Sequence, residues 1–319
     1  MRVLFIVFAS IVLLISCTSE NQKKVDVSGV DISMRVDRFE QEFYDNGGDN
    51  LKELRTKYPF LFPGGFTDSI ALEKISNIDE VDLFSESQKV FKDFSEQELE
   101  LKKLFQHIKY YNSDFKAPKI VTLLTNIDYD NRVILTNELL LISLDAYLGS
   151  NHPFYQNFPS YIRQNNTKER LVVDVANTFV SQQVSPVKQR SFVAKMVIEG
   201  KKLFLLDKYL PEVNDAIKIG YSSEKFNWAI DNEQEIWAFF IENELLFSTK
   251  SDLNKRFLET APFSKFYAQT DNRSPGRIGA WIGWQIVRSY HRNNDVSLQE
   301  ILRKDPIKLF EESNYKPRK

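Results

Sequence analysis

Cysteine and histidine are nearly absent from these 319 residues, which hold one Cys and three His. A single cysteine excludes any disulfide within the chain. The shortage of histidine bears on metal chemistry. A catalytic zinc takes three protein ligands and an open position, commonly with two histidines four apart on a helix. No two of His107, His152 and His291 have that spacing. Simpler roles suit them: His107 as a structural residue past a helical stripe, and His152 as a solvated loop residue before Pro153. His291 falls at a helix C-terminus, where the dipole favours its charged form. No metal or cofactor is expected. An excess of one charge is also missing: 42 basic and 44 acidic residues leave a net −2. Nothing electrostatic therefore points to nucleic acid. There is no low-complexity stretch, no repeat of 20–50 residues, and no second apolar run of membrane length.

What is present begins at the N-terminus. Arg2 precedes an apolar run over 3–15, then Ser16 and Cys17. A charged start, a short apolar core and a small residue make an export signal. Residues 14–17 (LISC) match a bacterial lipobox, in which the thiol is diacylated and the signal is cut just before it. The expected division is a signal peptide over 1–16, a polar tether over 17–24 and one folded domain over 25–319. Cys17 would attach the protein to a membrane through its diacylglyceryl and acyl chains. Two or more chains hold a protein stably where one holds it marginally. With its thiol lipidated, the lone cysteine supplies no metal ligand. Aromatic content of 13%, including 25 Phe, allows a large core.

Periodicity places the elements. Residues 36–44 carry apolar positions 36, 39 and 43 and read as a short helix, followed by a second helical piece over 51–58. A long helix is expected over 78–105, with Ser95 and Glu98 as a capping box. Runs at 119–125, 132–135 and 139–144 are β-prone and predict a small sheet, antiparallel in part. An aromatic loop follows at 151–161. Two amphipathic helices occupy 169–210, and a third covers 232–247. Over 271–291, Ser274 reads as an N-cap with Pro275 at the first helical position. Gly279 and Gly283, four apart on that helix, would let a partner backbone approach closely. A last helix is expected over 295–310.

Two carboxylates on the central helices are the catalytic candidates. Asp174 and Glu199 could work as a general acid–base pair. The favoured alternative is that both pair with basic neighbours such as Lys195, Lys201 or Lys202. The turn Ser274-Pro275-Gly276 could bind an anion through backbone amides, but it follows no strand, and helix packing explains its glycine better. The aromatic loop at 151–161 is a candidate ligand-binding surface.

Several segments carry a family resemblance: 144–149 (LDAYLG), 153–155 (PFY), 159–161 (PSY), 196–201 (MVIEGK), 209–211 (YLP), 236–238 (IWA) and, most specific, 274–285 (SPGRIGAWIGWQ). With the lipobox, they make the mature chain resemble the gliding-motility lipoprotein GldB family of the Bacteroidota. The resemblance implies a lipid-anchored, periplasm-facing envelope protein required for surface gliding, linked to type IX secretion and working with other gliding proteins. The family is more distantly similar to HExxH zincin-like peptidases. That motif would put Val173 and Asn177 where histidines belong, Asp174 where the catalytic Glu belongs, and Glu199 at the third ligand. The implied fold is α+β and mainly helical, a degenerate zincin-like domain with a small sheet. The implied role is structural rather than enzymatic. The alternative is a hydrolase acting on peptide or cell-wall substrates through Asp174 and Glu199.

Overall fold

The computed structural model describes residues 25–184 and 189–318. The expected signal peptide, Cys17 and the tether lie outside the described residues. The sheet comprises β1 (Val36–Arg38), β2 (Lys119–Leu123), β3 (Val133–Leu135) and β4 (Leu139–Ser143) in the order β1-β2-β4-β3. β1 and β4 flank β2 in parallel, and β3 returns antiparallel on β4. The N-terminal helices are α1 (Phe39–Tyr44), α2 (Leu51–Lys57), α3 (Asp68–Ser76), α4 (Ile78–Phe91) and α5 (Ser95–Tyr111). After the sheet come α6 (Ser160–Arg163), α7 (Lys168–Gln183), α8 (Phe192–Tyr209), α9 (Asp215–Ile219), α10 (Ser223–Asp231), α11 (Glu233–Glu242) and α12 (Asp252–Phe257). The chain closes with α13 (Ile278–Asn293), α14 (Leu298–Arg303) and α15 (Pro306–Glu312). At 56% helix with four short strands, the protein is mainly helical, as its periodicity implies.

The sheet separates two apolar layers because alternate strand residues face opposite ways. Ile120, Leu140 and Ile142 join the main core with Phe105 of α5, Val175 of α7, Phe204 of α8 and Trp284 of α13. Val121 faces the other way, into a smaller cluster with Phe43, Leu54, Tyr58 and Phe62. No helix among the described residues is long and apolar enough to cross a membrane.

α8 and α13 form the centre of the main core. A Cβ on Gly200 would overlap the Gly283 carbonyl, and one on Gly283 would overlap the carbonyl of Met196. The two backbones therefore touch where the helices cross. The expected close approach at Gly283 is present, and Gly200 is its counterpart on α8. Trp281 and Trp284 are buried on either side.

Several expected boundaries move, each for a local reason. Val36 to Arg38 form a strand, since pairing with β2 satisfies backbone groups that a helix would otherwise use. The buried Asp37 is paired there with Arg35 at 2.7 Å and Lys119 at 2.9 Å. The long helix over 78–105 is two helices broken at residues 92–94. Ser95 makes no capping box. The Asp93 carboxylate accepts the Ser95 N–H at 2.9 Å instead, and starts α5 from two residues upstream. The last helix is also two. Pro306 has no N–H and restricts Asp305, whose side chain accepts from Ile307 and Lys308 to open α15. A capping box is present one helix earlier, between Ser297 and Glu300.

The start of α13 departs furthest from expectation. Ser274 is not its N-cap and Pro275 is not its first residue. The helix begins at Ile278, and its N-cap, Arg277, has φ +59°. A serine from another segment takes over the capping: the Ser264 hydroxyl accepts the Ile278 N–H at 3.2 Å and donates to the Pro275 carbonyl at 2.7 Å.

Candidate functional site

Asp174 lies on α7 one turn after Arg170, so the two side chains share a face. The Arg170 Nε donates to Asp174 Oδ1 at 2.9 Å. The other oxygen, Oδ2, lies 3.0 Å from Nε of Arg132, the residue just before β3. It also accepts from the Tyr147 hydroxyl at 3.2 Å. Tyr147 follows the turn Leu144–Ala146 that ends β4. The carboxylate thus joins the edge of the sheet to the central helix. The expected pairing of Asp174 with basic neighbours is present, though none of the three lysines named for it takes part: two arginines and a tyrosine hold it. Burial pushes the Tyr147 hydroxyl well above its usual range, and the Asp174 charge adds to this. Burial is the largest single influence and works against the Arg132 charge, but Asp174, Tyr147 and Tyr129 together outweigh it and raise the guanidinium above its ordinary value.

Glu199 lies on α8, with its Oε1 accepting from Lys202 at 2.6 Å, one of the expected pairings. Its Oε2 is 3.6 Å from Arg277. The other two lysines are engaged elsewhere. Lys195 donates to Asn254 at 3.1 Å. Lys201 is buried and donates to the Leu302 and Lys304 carbonyls at 3.0 and 2.5 Å, and burial lowers its pKa to about 8.

The two carboxylates do not meet. A cleft of about 230 Å³ opens beside the Asp174 network, between Tyr129, Arg132, Tyr161, Arg170, Tyr221, Lys225 and Arg277. Neither Asp174 nor Glu199 lines it, and no other carboxylate does among the described residues. Glu199 lines a neighbouring cleft of about 640 Å³, which shares Thr260 and Arg277 with the first. Each candidate acid therefore backs a guanidinium, and the guanidiniums form the cleft wall. A general base needs a lone pair within reach of the proton it removes; both Asp174 oxygens already accept from donors.

Each of the three histidines departs from expectation in some respect. His107 is buried and burial lowers its pKa, but its Nδ1 has no hydrogen-bond partner, so it is not the fully satisfied structural residue expected. His152 is packed rather than solvated. Its Nε2 lies 3.3 Å from Glu86, its Nδ1 accepts the Phe154 N–H at 3.3 Å, and its ring lies against Phe154 and Tyr155. His291 does sit in the last turn of α13, but its pKa is lowered. Burial is the larger cause and the Lys208 charge the second; Lys208 donates to its Nε2 at 3.2 Å. These outweigh the helix dipole, so the neutral ring is favoured. Among the described residues no three of His, Cys, Asp and Glu are grouped as a metal site would need. Val173, one position aligned with a zincin histidine, is fully buried in the apolar core.

Sequence reasoning did not single out Arg132 or Arg170. The four-residue spacing of Arg170 and Asp174 was a readable signal, whereas nothing local ties Arg132 to α7. The aromatic loop contributes to the cleft only through its end, at Ser160 and Tyr161. Its central ring, Tyr155, is buried and donates to the Asp145 carbonyl at 2.5 Å.

No curated protein and no solved structure compared with the chain matches it. Residues 20–317 match the family model described as gliding motility protein GldB, a span that contains every element above. The chain belongs to the GldB family, a family of gliding motility lipoproteins.

Proposed function

We propose that this protein is a structural or assembly component of the gliding machinery, held at an envelope membrane by a lipidated Cys17 and facing the periplasm. Family membership supports the gliding role. The engagement of both candidate acids supports a role that is not hydrolytic. Asp174 is bound by two guanidiniums and a tyrosine, and Glu199 by Lys202. The degenerate zincin-like resemblance fits the same picture, with Val173 and Asn177 where metal ligands would stand. A link to type IX secretion and contact with other gliding proteins belong to this reading.

The test uses substitutions that preserve shape. Removing Asp174 as alanine would strand two buried guanidiniums, which costs about 3–5 kcal/mol when a buried pair is broken. Asp174→Asn and Glu199→Gln keep the volume. Cells carrying Glu199→Gln should glide at the wild-type rate with the protein at its normal level, whereas Asp174→Asn still removes the anion that Arg132 and Arg170 share, so its cells should glide as their lower level of folded protein allows. Loss of gliding at unchanged protein level and melting temperature would overturn the proposal and favour hydrolysis of a peptide or cell-wall substrate.

A further inference from the structure

The cleft beside α7 is cationic beyond what its own structure uses. Arg132, Arg170, Lys225 and Arg277 line it, and no carboxylate does among the described residues. The acids paired with these four are Asp174, which serves Arg132 and Arg170, and Glu199, which Arg277 shares with Lys202. Two of the cations are committed to three acceptors each within the fold. Lys225 donates to the carbonyls of Asn272, Arg273 and Ser274. Arg170 reaches the Ile217 and Lys218 carbonyls besides Asp174.

The other two are not. The Nη1 of Arg132 is buried without a hydrogen-bond partner, although buried donors are nearly always paired. The guanidinium of Arg277 makes only long contacts, 3.5 Å to the Ile219 carbonyl and 3.6 Å to Glu199. Its backbone is also unusual, since φ +59° is sparsely populated by a residue with a long side chain. That turn is held in place from outside: Tyr221 donates to the Gly276 carbonyl at 2.7 Å, and a Cβ on Gly276 would overlap the Ala261 carbonyl. The Arg277 backbone is thus fixed at the cleft wall, while its guanidinium is loosely held with donors to spare.

We propose that this cleft binds the carboxylate or phosphate group of a small molecule, held between Arg132 and Arg277. Planar guanidiniums suit either oxyanion, since two parallel N–H groups can meet two oxygens. At about 230 Å³ the cleft is below the roughly 300–1,000 Å³ typical of sites for drug-sized ligands. The fitting ligand is a small organic acid or a phosphate ester, its body lying among Tyr129, Tyr161 and Tyr221. The buried unpaired Nη1 and the loosely held Arg277 would both gain partners. This binding role is separate from the gliding assignment and does not depend on it.

Calorimetric titration of the detergent-solubilised full-length protein tests the site, using inorganic phosphate and succinate against sodium chloride at matched ionic strength. Saturable one-to-one binding of phosphate or succinate is expected, weakened about tenfold or more by Arg277→Gln through loss of a charge-assisted hydrogen bond. Arg132→Gln should weaken it as well; if that variant fails to fold, Arg277→Gln decides. Glu199→Gln removes the acid competing for Arg277 and should tighten binding, which a merely structural role for Arg277 would not produce. Heats indistinguishable from chloride for both probes, or unchanged affinity in Arg277→Gln, would overturn the proposal.

Discussion

Asp145 has a fully buried carboxylate and holds a strained loop. Its Oδ2 accepts the N–H groups of Thr125 at 3.0 Å and Ile127 at 2.7 Å, while Oδ1 is buried without a partner. Between those two contacts the chain turns through Asn126 at φ +58° and Ile127 at φ +61°, and the second is unusual for a β-branched residue. Burial raises the pKa from 3.8 to about 6, against the opposing effect of the two N–H groups. The folded protein therefore holds this proton more tightly than the unfolded chain does. Stability from this group is greatest below pH 3.8 and is lost as the pH rises through about 6, amounting to about 3 kcal/mol. Asp145→Asn should remove that slope. Urea unfolding of both proteins at steps between pH 4 and 7 measures it, and parallel curves would refute the assignment. At this scale the sequence was partly misleading. It read Glu199 with Lys202 correctly and Asp174 as paired with basic neighbours, but named neither Arg170, whose four-residue spacing was readable, nor Arg132, whose pairing leaves no trace in local spacing.

Among the elements, the crossing of α8 and α13 is the contact most sensitive to one atom. Gly283→Ala would drive a methyl group into the Met196 backbone, which cannot rotate aside. Overpacking of this kind costs about 1–3 kcal/mol, and more where backbone must move. Gly64→Ala is the control, since nothing lies within 4 Å of a Cβ there. It should stay within about 0.5 kcal/mol of wild type. Thermal melts of the two variants compare them directly, and an unshifted Gly283→Ala would mean the helices are not in backbone contact. The sequence signalled this contact on α13 through Gly279 and Gly283, but not its partner Gly200. It missed the breaks at residues 92–94 and at Asp305, because apolar periodicity runs on through a break that one aspartate side chain creates by capping the next helix.

For the whole molecule, the main prediction concerns attachment. The family is one of lipoproteins, which fits the proposed attachment through Cys17. With Cys17→Ser, incorporation of labelled fatty acid should fall to background, and the folded protein should leave the membrane fraction. Retention on membranes after high-salt washing would argue for a second anchor. Gliding should fall with membrane attachment, as the proposed role requires.

The sequence by itself determined the composition of the core, the mainly helical class, the small sheet and the family, because apolar periodicity and short specific motifs are local properties of the chain. Tertiary structure alone decided that β1 joins the sheet, that Ser264 caps α13 from another segment, and that Asp174 lies behind two guanidiniums while Glu199 lines a separate cleft. Apart from the pair of Arg170 with Asp174, those outcomes depend on hydrogen bonds and ion pairs between residues from 14 to more than 80 positions apart. Their geometry exists only once the helices have packed.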